Sequence, residues 1–384
     1  MEEAVIVSAV RSPMGKSGKG LLQNMRIDDL GALVVREAVR RVVGLDPNEI
    51  QDVLIGCAMP EGEQGMNIAR NISLLAGIPQ SAAAATVNRF CASGLEVINT
   101  AALHIMVGNG DVYLAGGVET MSHVPMGGFN PSLNGKFFET GAPQAYISMG
   151  VTAENVSAKY GVSRADQDQF ALASHQKAIK AQKEGRFKNE MIAVEVMTAE
   201  GKKLLDIDEN PRADASLEKL GQLKPVFKEG GSVTAGNSSP LTDGAAALVL
   251  MSAKKAKALG IKPLAKIRAM AVAGCDPAYM GIGPVPAVQK VLKRAGMTIK
   301  DIDMIELNEA FAAQGIAVLR ELKADFDKVN PHGGAIALGH PLGCSGSRIM
   351  ATLINDLFTT NKTIGLETMC IGGGQGAATI IERL

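Results

Sequence analysis

The chain of 384 residues predicts an α/β fold made of two similar halves, and three observations carry that reading. Short apolar runs of strand length alternate with longer segments whose apolar residues recur at helical spacing. The second half repeats the plan of the first at a separation of about 250 residues, far longer than any solenoid repeat. Between the copies lies a stretch punctuated by glycine and proline, so the first half carries a long insertion.

Taken in order, Ala4-Val-Ile-Val-Ser8 reads as a buried strand, and Leu30, Leu33, Val34, Ala38, Val39 and Val42 lie at helical spacing with charges between them. Val53 to Gly56 is the next strand. Asn67 to Ala76 reads as a helix closed by Gly77-Ile-Pro79, because glycine accepts the terminal left-handed turn and proline cannot continue the ladder. A strand at Ala82–Val87, an apolar helix from Leu95 to Val107 and a strand at Val112–Ala115, closed by Gly116-Gly117, complete this part. Such alternation implies a mostly parallel sheet covered on both faces.

From about Met121 the pattern breaks at Pro125, Gly127, Gly128, Pro131, Gly135, Gly141 and Pro143. Ser163 followed by Asp166 is a capping-box variant that opens a polar-faced helix reaching Gly185, and Gly201 to Gly231 is charged and irregular. The apolar run Ala245–Met251 is a strand that rejoins the first sheet. In the second half, Ala287-Val-Gln-Lys-Val-Leu292 matches Ala38-Val-Arg-Arg-Val-Val43, and 301–307 matches 50–56. Gly343-Cys-Ser-Gly346 opens the apolar helix Ile349–Phe358 as Cys91-Ala-Ser-Gly94 opens its counterpart, and strands at Ile364–Ile371 and Ala377–Ile381 end the chain. Two facing halves place strand ends and helix starts around one central cleft.

Composition excludes several classes. Lys plus Arg and Asp plus Glu are both 39, so no net basic field is present to hold a nucleic acid. The five cysteines are odd in number, widely spaced and free of CxxC pairs, which argues against a disulfide scaffold or zinc ribbon and for a reducing, cytoplasmic setting. The N-terminus begins with acids, and no apolar run approaches the roughly 20 residues needed for a membrane span.

Four stretches combine small residues with reactive ones: Cys91-Ala-Ser-Gly94, Asn308-Glu-Ala-Phe311, Gly339-His-Pro-Leu-Gly-Cys-Ser-Gly346 and Cys370-Ile-Gly-Gly-Gly374. Cys91, at a helix start, is expected to have a lowered thiol pKa. Taken alone, its stretch fits a small buried cysteine better, the commoner fate of that residue. Thioester acyl transfer, however, needs such a set: a nucleophilic thiol (Cys91), an imidazole base (His340), oxyanion donors (the backbone near Gly372) and a second acid/base (Cys370).

These stretches resemble, in order and place, the CxS, NEAF, GHP and CxG motifs of the thiolase family, and the resemblance spans essentially the whole chain, including Gly116-Gly-Val-Glu119 and Thr234-Ala-Gly-Asn237. It implies two βαβαβαββ halves layered α-β-α-β-α, with residues 1–120 and 234–258 as the first half, 121–233 as an inserted loop domain and 259–384 as the second half. It also implies that Cys91 is acylated, that His340 activates it and that Cys370 handles the α-carbon proton. Asn308 would hold a water that, with His340, stabilises the enolate, while the N–H groups of Cys91 and Gly372 form a second oxyanion hole. Ser239 and Arg212 fall where the family contacts coenzyme A, and Met149 and Phe311 would line the acyl pocket. CoA enters as substrate, with no tightly bound cofactor or metal.

The implied reaction is thiolysis of a 3-ketoacyl-CoA in fatty acid β-oxidation; the alternative is an acetoacetyl-CoA-forming biosynthetic enzyme. Ser148 stands where many such biosynthetic members have histidine, and the 121–146 region lacks their basic loop, which favours the degradative reading. A carrier-protein condensing enzyme and a non-catalytic CoA- or lipid-binding scaffold are less favoured; a scaffold has no chemical need for Cys91, His340, Cys370 and Asn308 together. A homodimer or homotetramer, with the strand before Cys91 near the interface, and a β-oxidation multienzyme partner are further implied. His332, Cys344 and Glu309 read as supporting residues, and the G-x-G-x-x-A match in 372–377 fails as a dinucleotide site because no long helix follows.

Overall fold

The computed structural model describes residues 2–139 and 144–384; Gly141 and Pro143, counted above as chain breakers, lie outside the described residues. The first half supplies strands β1 (Ala4–Arg11), β2 (Asp52–Gly56), β3 (Ala83–Val87), β4 (Val112–Glu119) and β5 (Thr242–Ser252). Its helices are α1 (Ile27–Arg40), α2 (Ile68–Leu75) and α3 (Ser93–Met106). The intervening chain carries α4 (Met149–Tyr160) and α5 (Arg164–Lys183). The second half supplies β6 (Ala265–Gly274), α6 (Pro284–Ala295), β7 (Met304–Leu307), α7 (Ala312–Leu322), α8 (Ser345–Thr359), β8 (Ile364–Ile371) and β9 (Gln375–Arg383).

The duplication is visible in the pairing. In the first half the spatial order is β3-β2-β4-β5-β1, and in the second it is β7-β8-β9-β6, with Val329 bridging Ile305 in the place that β3 takes beside β2. The two halves join where β1 meets β6 through Val5–Lys266 and Ile6–Ala265. The expectation of a mostly parallel sheet is corrected. Among the described strands only the pairs β2–β3, β2–β4 and β7–β8 are parallel, whereas β5 and β9 run antiparallel to both neighbours. The reason is connectivity: β9 returns from β8 through a tight turn and β5 returns from the long insertion, and neither uses a helical crossover.

Layering follows from which faces are apolar. α3 and α8 bury Leu95, Ile98, Ile105, Met350 and Leu353 together with inward residues of both sheets. α1 and α2 cover the outer face of the first sheet, and α6 covers that of the second. The result is the five-layer α-β-α-β-α order. Within the insertion, the Ser163–Asp166 capping box forms as expected, and the segment read as irregular contains a hairpin strand, Gly201–Leu205, paired with Val194–Thr198, and a short helix, Leu217–Gly221. Among the described residues no helix is long and apolar enough to cross a membrane.

The starts of the two central helices touch through glycine. A Cβ on Gly94 would lie 2.7 Å from Ser347 N, and one on Gly346 would lie 2.2 Å from Leu95 N, both backbone atoms that cannot move aside. Gly346→Val is therefore expected to destabilise the fold by about 3 kcal/mol, near the upper end for overpacking. A urea midpoint unchanged from wild type would show that the helices do not depend on this contact.

Candidate active site

Cys91 lies in a single 3-10 turn, Phe90–Ala92, between β3 and α3, one residue earlier than a helix N-cap. Phe90 has φ of +45°, a strained value for a bulky residue. Local hydrogen bonds hold it there: Asn88 Oδ1 accepts from Phe90 N at 2.8 Å, and Ser93 Oγ donates to Phe90 O at 2.6 Å. Asn88 Nδ2 also donates to Ala58 O at 2.9 Å, pinning the turn to the chain after β2. The thiol packs with Ala58 and Leu342, so the second half already touches it.

The expected lowering of the Cys91 pKa is corrected. Burial pushes the thiol up to about 11, and the backbone N–H groups of Gly372 and Cys91, which bond the sulfur, offset only part of that. A thiol held this way carries its proton until a base and a substrate arrive. Those same two N–H groups are the pair named from the sequence as oxyanion donors. Gly372 reaches the site because β8 and β9 are joined by Gly372–Gly374, where Gly373 and Gly374 have φ of +79° and +83°.

His340 follows Gly339, whose φ of +105° favours glycine. Its Nδ1–H donates to Ser345 Oγ at 2.5 Å, and that hydroxyl passes its own hydrogen to Pro341 O at 2.9 Å. The network leaves Nε2 without a proton, and Asn308 Nδ2 donates toward it at 3.3 Å. Burial, reinforced by the charge of Arg348, pushes the imidazole down to about 3, so it is neutral with one ring nitrogen unprotonated. Asn308 itself is placed by β7 and β8: its N–H donates to Thr368 O at 3.0 Å.

Cys370, at the end of β8, is fully buried, and burial together with neighbouring Cys91 drives its thiol well above the ordinary range. It shares an apolar cluster with Phe311 and Met149, and Met149 Sδ would lie 3.6 Å from a Cβ on Gly372. Ser239 is half-buried and donates its N–H to Ala310 O at 3.0 Å, on the same loop as Asn308. Arg212 is exposed; its backbone N–H donates to His175 Nδ1 at 3.2 Å, and among the described residues no hydrogen bond or ion pair ties its side chain to the Cys91 cluster.

Glu119, which had no assigned role in the sequence reading, and the residues read as supporting ones hold this arrangement. Glu119 accepts from Ala58 N at 2.8 Å, Gly343 N at 2.7 Å and Gln64 Nε2 at 2.9 Å, so one carboxylate clamps the loops that follow β2 and His340. Gly117 permits the approach, since a Cβ there would lie 2.3 Å from Gly343 O. Glu309 accepts from Ser174 Oγ at 2.6 Å and Asn330 Nδ2 at 2.7 Å, fixing the loop beside Asn308. His332 bonds Asp356 Oδ1 at 2.5 Å, and Cys344 packs with Met14 and Ala246.

Two family models cover this chain: the thiolase N-terminal domain over residues 4–254 and the thiolase C-terminal domain over residues 261–383. The chain belongs to the thiolase family. Among thiolase relatives, a 3-ketoacyl-CoA thiolase of Marinomonas sp. (strain MWYL1) is 53% identical over 100% of this chain and 98% of its own. Another of that name from Bacillus subtilis (strain 168) is 52% identical over the full length of both. The crystal structure of the Bacillus anthracis acetyl-CoA acetyltransferase superposes with a TM-score of 0.92 at 41% identity, covering 100% of this thiolase chain and 99% of that one.

Proposed function

We propose that this thiolase is an acyltransferase that cleaves 3-ketoacyl-CoA with CoA, giving an acyl-CoA shortened by two carbons plus acetyl-CoA. The observation that carries the mechanism is a pair of buried thiols, Cys91 and Cys370, one of them facing the Gly372 N–H, together with a buried imidazole, His340, whose Nε2 accepts from Asn308 Nδ2 at 3.3 Å. His340 takes the Cys91 proton as the sulfur attacks the 3-keto carbon, and the N–H groups of Cys91 and Gly372 receive the developing oxyanion. Cleavage of the bond between the α-carbon and the keto carbon releases the acetyl-CoA carbanion, which Cys370 protonates; the acyl group remains on Cys91. The enolate oxygen lies toward His340 and Asn308. Incoming CoA gives its thiol proton to the Cys370 thiolate, its sulfur takes the acyl group from Cys91, and the His340 imidazolium returns its proton to the departing Cys91 sulfur, so both thiols and the neutral imidazole are restored. Each step balances without an added cofactor.

Met149 and Phe311 form the acyl wall, and Ser239 and Arg212 contact CoA in this reading; the exposure of Arg212 suits the nucleotide end. The full-length 3-ketoacyl-CoA thiolase relatives and Ser148 support the degradative role over acetoacetyl-CoA synthesis. The domain division at 1–120 with 234–258, 121–233 and 259–384 is supported by β4 ending at Glu119 and by the family models meeting between residues 254 and 261. We read the chain as cytoplasmic, on five free cysteines. A homodimer is supported by β3, which among the described residues pairs only with β2 and ends the sheet, with exposed Met66 and Phe90 beside it. Docking on a β-oxidation multienzyme partner belongs to the same reading.

Thiolysis assays across 3-ketoacyl-CoA chain lengths test the substrate range. Cleavage is expected well beyond acetoacetyl-CoA; activity confined to acetoacetyl-CoA overturns the degradative role, and no CoA-dependent cleavage overturns the reaction. Light scattering should give at least a dimer.

A further inference from the structure

Phe90, immediately before the thiol, is a bulky residue in the left-handed region, and such a backbone persists only where its surroundings hold it. Two side chains outside the acyl-transfer set do so. Asn88 Oδ1 accepts from Phe90 N at 2.8 Å, which fixes the peptide before Phe90. Phe90 O accepts twice from Ser93, from its N–H and from its Oγ at 2.6 Å, which fixes the peptide after it. Ser93 Oγ in turn accepts from Arg89 N at 2.9 Å, so its hydrogen and a lone pair are both engaged. Ser93 is fully buried as the first residue of α3, whereas Asn88 is exposed and anchored through Nδ2 to Ala58 O.

The Phe90 carbonyl and the Cys91 N–H are the two ends of one planar peptide. In a trans peptide they point in opposite directions, so a residue of α3 that grips the oxygen aims the N–H the other way. Among the described residues no oxygen accepts from the Cys91 N–H; it faces the Cys91 sulfur, as the Gly372 N–H does. The Phe90 ring reaches that second donor as well: a Cβ on Gly372 would meet Phe90 Cδ2 and Met149 Sδ, each at 3.6 Å.

We propose that Ser93 and Asn88 are positioning residues for the reaction: they lock the Phe90–Cys91 peptide so that the Cys91 N–H points at the carbonyl oxygen of the acyl group on Cys91. The inference deepens the reading of Cys91 as the acylated thiol and rests on it. Neither side chain touches the reacting atoms in this role; each acts through the backbone it holds. A serine that only capped α3 would have no effect on how strongly that carbonyl is polarised.

The test reads that polarisation directly. Protein mixed with an acyl-CoA carrying 13C at its thioester carbonyl, in the absence of free CoA, forms the acyl-enzyme, and isotope-edited infrared difference spectroscopy gives its C=O stretch. In the wild type the band should lie below that of the same acyl-CoA in buffer, because donors aimed at the oxygen weaken the C=O bond. Ser93→Ala should move the band back toward the free value and lower kcat for thiolysis about tenfold, with KM within about twofold. That loss is smaller than the about 10^2-fold or more for deleting an oxyanion donor, since the Ser93 N–H still holds Phe90 O. Asn88→Ala, at an exposed position, should move the band the same way and decides the matter if the buried serine variant does not fold. Ser93→Thr, which keeps the hydroxyl, should restore the wild-type band. A band unmoved in Ser93→Ala and Asn88→Ala, whatever happens to kcat, overturns the inference, as does an equal shift in Ser93→Thr. Wild-type protein that turns over substrate yet shows no acyl band removes the acyl-enzyme reading itself, and the inference with it.

Discussion

Replacing Cys91 by alanine is expected to lower kcat for thiolysis by about 10^4-fold or more while the protein stays folded. The sulfur is the atom to which the acyl group must be attached, and neither Cys370 nor Cys344 can substitute. Cys370 lies deeper, at the end of β8, and Cys344 packs with Met14 and Ala246. The deletion removes one atom beside Ala58 and Leu342, so the cost to folding is about 1 kcal/mol, in line with a small buried truncation. CoA-dependent loss of 3-ketoacyl-CoA measures the first quantity and a thermal melt the second. Cleavage at more than about one tenth of the wild-type rate would remove Cys91 from the mechanism.

Cys370→Ala should divide the reaction in two. Carbon–carbon cleavage requires a proton for the α-carbon and should fall by about 10^3-fold, a loss within the usual range for general acid–base groups. Exchange of the acyl group between acyl-CoA and isotopically labelled CoA requires only Cys91, His340 and the N–H groups of Cys91 and Gly372, and should persist within about tenfold of wild type. Burial keeps the Cys370 proton in place above neutral pH, which suits an acid that waits for a carbanion. Equal loss of both activities would show that Cys370 shapes the site and does not handle the proton.

How legible the molecule was in its sequence differed from one element to another. Local periodicity placed α1 and α3 within a few residues, because one apolar face decides each of them, whereas β4 begins at Val112 as read but runs on through Gly116-Gly117, taken as its close, to Glu119. Strand direction was not legible for β5 or β9, since a strand has the same side-chain period whichever way it runs. Four motifs carried the candidate site residues; the structure sets Cys91 by Gly372 and Cys370, and His340 by Asn308. The environment of Cys91 was misjudged because its pKa depends on how completely the second half covers it, a long-range property. Glu119 and Ser345 stood inside the quoted motifs, yet their roles depend on partners; Gly343 is 224 residues from Glu119.

The central claim is that the acyl group passes through the sulfur of Cys91. Mixing the protein with an acyl-CoA in the absence of free CoA, quenching in acid and mapping the peptides by mass spectrometry reads it directly. The account predicts one acyl group per chain, on Cys91, released on addition of CoA, with none on Cys370; an acyl group on Cys370, or an unmodified Cys91 under conditions of full activity, would contradict it.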